Sequence, residues 1–159
     1  MMKKFELYLN FLEVFCLRLV QILLILMIIF IFSQVLFRYA FNNPLSWSEE
    51  LSRHLMIWAA FIAAAVAYRR NAHLGIDIFI KKIPINLRKI ILTFIYLIVL
   101  FYSLFLIYYG FDIVLNTMKQ TSSALRYKMG YVYLSVPVSF ILFSIFSLEK
   151  IYKLWWSDD

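Results

Sequence analysis

LVQILLILMIIFIFSQVLF, residues 19–37, decides the architecture. The run holds no Asp, Glu, Lys, Arg or His, and its polar members are Gln21, Ser33 and Gln34. At a helical rise of 1.5 Å per residue it reaches about 28 Å, close to the ~30 Å of a bilayer's hydrocarbon core. A soluble fold buries stripes of apolar residues, not uninterrupted runs of this length. Arg38 and Tyr39 close the run with an interfacial pair.

Working outward, three more runs follow. Leu55–Tyr68 is uncharged but reaches only about 21 Å. Extending it back to Trp47 gives about 33 Å and places Glu49, Glu50, Arg53 and His54 in its first turns. Pro44 in the entering turn, Ser46 as N-cap and Glu49 three residues later form a predicted capping box. The third span is predicted at 90–109. The fourth is predicted at 131–148, with Pro137 kinking it and Trp155 and Trp156 at headgroup level. Residues 1–18 alternate Lys3, Glu6, Asn10 and Glu13 with Phe5, Leu9, Leu12 and Phe15, a pattern that predicts an amphipathic helix lying in the interface. A cleaved signal peptide fits poorly, because acids interrupt the leader and no small-x-small site follows the long apolar run. The expected fold is thus an all-α membrane protein of four transmembrane helices plus an interfacial helix, forming a single membrane domain over 1–159.

Of the 159 residues, 64% are hydrophobic and 16% charged, below the ~25% charged of soluble domains. The net charge of +7 does not point to nucleic acid, because the cations flank apolar runs. Eleven lie with the two termini and the central loop, among them Lys3, Arg18, Arg69, Arg70, Arg88 and Lys150; five lie on the other side, Arg38, Arg53, Lys119, Arg126 and Lys128. The positive-inside rule then predicts cytoplasmic termini in a bacterial inner membrane. Cys16 stands alone, so no intramolecular disulfide or cysteine metal cage is available, and a packing role is expected.

The cluster of Glu49, Glu50, Arg53 and His54, with Arg38 nearby, is the most unusual feature. Glu49–Arg53 and Glu50–His54 are i,i+4 pairs, so the bland expectation is a self-paired helix end. The sharper one is contact with another membrane subunit, since Arg53 falls about 9 Å inside Trp47 at the hydrocarbon edge. No deeper acid continues a proton path. Arg69, Arg70, His73 and Asp77 form a charged turn with too few ligands for a metal, and His54 and His73 lie at opposite ends of one span, so they cannot share a haem iron. No cofactor is expected. Ala59, Ala63 and Ala67 recur every four residues, as do Ala60 and Ala64, a spacing that lets helices approach closely.

FRYAFNNPLSWSEELSRHLMIWAAF, residues 37–61, resembles the small membrane subunit of tripartite ATP-independent periplasmic (TRAP) transporters, the DctQ-like family. The matching positions are Arg38, Tyr39, Pro44, Trp47, Glu49, Glu50 and Arg53; RRNAHLGID, with His73 and Asp77, and Pro137 extend the likeness. Gly75–Ile76 departs from the polar-Val pair usual before that Asp. The resemblance implies a non-enzymatic scaffold. Its partners would be a large membrane subunit within the bilayer, a periplasmic solute-binding protein and membrane lipids, together importing a carboxylate with a sodium gradient. A self-contained oligomeric small transporter would want an acid inside span one, and a membrane redox subunit would want paired cysteines or stacked histidines; neither is present.

Overall fold

The computed structural model describes residues 2–43, 45–70 and 84–156; Pro44, His73 and Asp77, named above, lie outside the described residues. Among the described residues, five helices follow in order: α1 Met2–Ala40, α2 Ser46–Arg69, α3 Ile85–Thr117, α4 Gly130–Tyr133 and α5 Ser135–Trp156. Four stretches among the described residues are long and apolar enough to cross a membrane, with α4 and α5 together making the last.

Each helix outruns its predicted span because the apolar run marks the hydrocarbon, whereas the backbone ladder continues until something breaks it. At its start α3 follows Pro84, which has no N–H to leave orphaned. At its end α1 gives way to Asn42, whose φ of 52° is left-handed, and the Asn43 N–H returns to the Phe37 carbonyl at 3.2 Å. The last span is interrupted at Leu134, three residues before Pro137. Proline cannot bond the carbonyl four residues back and crowds it, so the predicted irregularity takes the form of a break between α4 and α5.

Packing proceeds from α1 to α2, from α2 to α5 and from α5 to α3. The core joins Cys16 and Val20 of α1 to Ala59, Ile62, Ala65 and Val66 of α2 and to Leu142 and Phe146 of α5. Cys16 is buried there as a small apolar packing residue. Ala59 is buried and Ala63 packs on the same cluster. Gly110 of α3 lies close to α5: a Cβ there would stand 3.2 Å from Cδ of the fully buried Pro137.

The flanking helices are the exposed ones. In their most apolar stretches only 11% of residues are buried for α1 and 6% for α3, against 39% for α2 and 33% for α4–α5. Lipid or protein must cover α1 and α3. At 39 and 33 residues they extend about 58 and 50 Å, so in a 30 Å core they tilt or project.

The start of α1 departs from expectation. No break separates residues 2–18 from the first span. Its polarity is also inside out: Leu7, Tyr8, Phe11, Val14 and Phe15 point outward, while Glu13 turns toward α2 beside the buried Leu9 and Cys16. An interfacial helix would send its acids to water. Here Glu13 goes to arginines within the bundle, while Glu6 stays half exposed beside Lys153.

Candidate functional site: polar clusters at the two ends of the bundle

The two ends of the bundle hold separate polar clusters. The stretches between them, 19–37, 55–68, 90–109 and 131–148, hold no Asp, Glu, Lys, Arg or His.

At the end opposite the termini, α2 begins one residue earlier than the capping box requires. Leu45 occupies the N-cap with no side-chain bond, Ser46 is already helical, and Ser48 Oγ donates to the Leu45 carbonyl at 2.9 Å. Glu49 therefore does not reach back to a cap. Its carboxylate accepts from Gln34 Nε2 of α1 at 3.1 Å and meets Arg53 at 3.6 Å on the outer surface. That i,i+4 pair is as predicted, and both side chains are well exposed.

The predicted Glu50–His54 pair is replaced by two separate contacts with one loop. Glu50, 8% exposed, accepts the backbone N–H of Ala124 at 2.8 Å and of Leu125 at 3.2 Å. His54 Nδ1 is hydrogen-bonded to the Tyr127 hydroxyl, with the rings edge to face at 5.5 Å. The loop is shaped for this. Thr121 and Lys128 form an antiparallel bridge, the Ser122 N–H donates to the Tyr127 carbonyl at 2.9 Å, and Arg126 adopts a left-handed φ of 57°. Its turn thus presents two amides to a single carboxylate, which satisfies donors that would otherwise be buried unpaired. Burial, with the Glu50 charge adding to it, raises the Tyr127 phenol above its ordinary range and keeps it a neutral hydroxyl.

The cluster of Glu49, Glu50, Arg53 and His54 thus separates into an inward pair, Glu50 and His54, and an outward pair, Glu49 and Arg53. Arg38 and Tyr39 are outward too, with Tyr39 80% exposed and the guanidinium 6.0 Å from its ring, and the exposed Trp47 meets Phe30 of α1 edge to face at 5.9 Å. The outer face of α2 continues through Met56, Ala60 and Ala64, all exposed. Of the expected close-packing set, Ala67 is half-buried.

At the end carrying the termini, Arg69 does what a solvated turn residue would not. Its guanidinium grips Glu149 of α5 through two parallel bonds, Nε to Oε2 at 2.7 Å and Nη2 to Oε1 at 2.8 Å. It also donates to Glu13 and, at 2.8 Å, to Asn10 of α1. Arg70 Nε donates to Glu13 at 2.5 Å, and Lys153 Nζ meets Glu149 at 2.9 Å. The side chains of Arg69, Glu149 and Glu13 are 7%, 4% and 15% exposed, so the centre of this network is largely buried, with Arg70 and Lys153 half exposed at its edge, and it ties three helices together. Phe146 lies beneath the guanidinium at 5.4 Å, and Tyr68 and Ser147 share a buried hydrogen bond of 2.9 Å one turn away. Glu13 and Glu149 were not singled out as a pair from the sequence. The available signal was an acid beside each apolar run in an otherwise basic flank.

Among the described residues, no three His, Cys, Asp or Glu side chains converge as metal ligands would.

Residues 27–156 match the family described as tripartite ATP-independent periplasmic transporters, DctQ component. A putative TRAP transporter small permease protein of Haemophilus influenzae is 29% identical over 133 residues, covering 82% of this chain and 81% of the relative. A second protein of that description and organism is 40% identical over 73 residues, 46% of this chain and 43% of the relative. The isethionate TRAP transporter permease protein DctMQ of Oleidesulfovibrio alaskensis is 28% identical over 107 residues, 66% of this chain but 17% of the relative. The chain thus spans less than half the length of the latter two.

Proposed function

Because this chain belongs to the DctQ component family of TRAP transporters, we propose that it is a scaffold subunit that holds a larger, transporting membrane subunit in place. The observation that carries the proposal is the division of polar groups. Charges lie in end clusters, and the uncharged middle of each span lacks the ionisable groups and interrupted helices of a midplane transport site. The helix break at Leu134 lies near a span end instead. The DctMQ relative supports a neighbour in the membrane, since its matching stretch is a small part of a longer permease chain.

The solute is an organic acid anion, delivered by a periplasmic binding protein and carried by the large subunit with a sodium gradient. The relative named for isethionate supports an anionic cargo. The surplus of cations toward the terminal end supports cytoplasmic termini in the bacterial inner membrane. The large subunit packs on the outer face of α2, where Arg53, Met56, Ala60 and Ala64 offer a low ridge with a charged end.

Reconstitution tests this. Proteoliposomes holding the large subunit, with binding protein and solute outside, take up solute under a sodium gradient only when this chain is present. Uptake by this chain alone, or full uptake without it, refutes the scaffold. Ala60→Leu, which thickens the ridge, abolishes co-purification of the large subunit while leaving membrane insertion intact.

A further inference from the structure

Beside the buried Arg69 network lies a cleft of about 490 Å³, within the size range of small-ligand sites. It opens at the terminal end, between α3 and the last turns of α5. Arg69, Arg70, Arg88, Lys150 and Lys153 line it, and the carboxylates on its wall are Glu13 and Glu149. Even with Glu6, 3.6 Å from Lys153, cations outnumber carboxylates by five to three.

These cations are not equivalent. Arg69 and Lys153 are committed to Glu149, and Lys150 Nζ stands over the rings of Tyr68 and Tyr96 at 4.9 and 5.4 Å. Arg70 spends one nitrogen on Glu13 and is 55% exposed. Arg88, at the start of α3, has no carboxylate partner among the described residues. A cleft so lined has positive charge left over and donors suited to phosphate oxygens.

Its surroundings distinguish a lipid from a free anion. The non-ionic part of the wall is Leu92, Tyr96 and Leu154. On α3 the cleft takes Arg88, Leu92 and Tyr96, while Phe94, Leu97, Ile98 and Phe101 of the opposite face are all exposed, so the helix beside the cleft turns an apolar face outward. Trp155, whose Nε1 donates to Thr93 at 2.9 Å, and the stacked pair Tyr152–Trp156 set the cleft at the level where aromatic belts meet headgroups. Basic pockets between transmembrane helices at that level suit anionic headgroups.

We infer that this cleft is a binding site for the headgroup of an anionic phospholipid, with the phosphodiester between Arg70 and Arg88. The inference needs the chain in a membrane but not the transport role proposed above.

The test uses the full chain purified in mild detergent, alone and with any membrane subunit that accompanies it, with lipid binding followed by native mass spectrometry. Phosphatidylglycerol binds at least tenfold tighter than phosphatidylcholine of the same acyl chains. Arg88→Gln and Arg70→Gln each weaken phosphatidylglycerol about fivefold, as expected for one basic residue near an anionic headgroup, and Arg88→Lys restores most of it. The lipid-free melting temperature of Arg88→Gln stays at the parent value, which separates lost binding from lost folding. Equal affinity for the two lipids overturns the inference, as does phosphatidylglycerol binding that ignores both substitutions. Displacement of the lipid by equimolar inorganic phosphate makes the cleft a soluble-anion site. Loss of lipid binding once the accompanying subunit is attached makes it a protein contact.

Discussion

Replacing Arg69 with methionine leaves Glu149, 4% exposed, without the two parallel bonds that hold it, and deprives Glu13 of one of its two arginines. Lys153 still reaches Glu149, so the carboxylate is not wholly stranded. Removing one member of a desolvated pair costs about 3–5 kcal/mol, and the remaining lysine places the expected loss near the lower figure, ~3 kcal/mol. The exposed Glu49–Arg53 pair is the internal control: both side chains are more than half exposed, and Arg53→Met costs at most ~0.5 kcal/mol. Unfolding in mixed micelles with a rising fraction of denaturing detergent measures both. Replacing Arg69 by Met and Glu149 by Leu together recovers part of the loss, because an apolar pair of similar volume leaves no lone charge. The coupling between the two substitutions is at least ~1 kcal/mol. A loss below ~1 kcal/mol for Arg69→Met, equal to the control, would mean that water reaches these carboxylates and that the network does not join the helices.

The other end yields a local prediction: Glu50→Ala frees the Ala124 and Leu125 amides, and hydrogen exchange rises at those two positions and around Tyr127 while the spans stay protected. Gly130→Ala forces a Cβ to within 2.9 Å of the Val114 carbonyl and 2.8 Å of the Met118 side chain, so stability falls by about 1–3 kcal/mol in the same micelle assay. Topology is tested in a Cys16→Ala background, where an impermeant thiol reagent added outside labels Asn116→Cys and misses Trp156→Cys; the reverse pattern inverts the proposed orientation.

How far the fold was legible depended on whether the signal was local. Runs such as 19–37 announce themselves, because crossing hydrocarbon constrains about 20 consecutive residues. Glu49–Arg53 was legible for the same reason, being set by helical spacing alone. Glu50 was not: i,i+4 spacing offered His54, but the winning donors are backbone amides 74 and 75 residues away, which no side-chain pattern encodes. Ser46 failed as a cap because the helix starts one residue early, a matter of the entering turn rather than of residue type. In the first eighteen residues the face that meets the bundle was not legible. Alternation reveals that a helix has two faces, but not which face meets the bundle, and here Glu13 goes inward because Arg69 is there to receive it.

The Arg69 network also imposes an order on the making of the protein. Glu13 is synthesised 56 residues before Arg69, and Glu149 comes 80 residues after it. At 5–20 residues per second, Arg69 waits roughly 4–16 s for its second carboxylate. During that interval α1 and α2 form a hairpin joined at one end by Glu13, Arg69 and Arg70. The last helix then arrives carrying an acid that has a place to go only if the hairpin is already correctly aligned. The same ion cluster that fastens the finished bundle thereby acts as a checkpoint on its assembly. A nascent chain stalled after α3 is complete in hydrophobicity for three spans yet holds an arginine whose strongest partner has not been made.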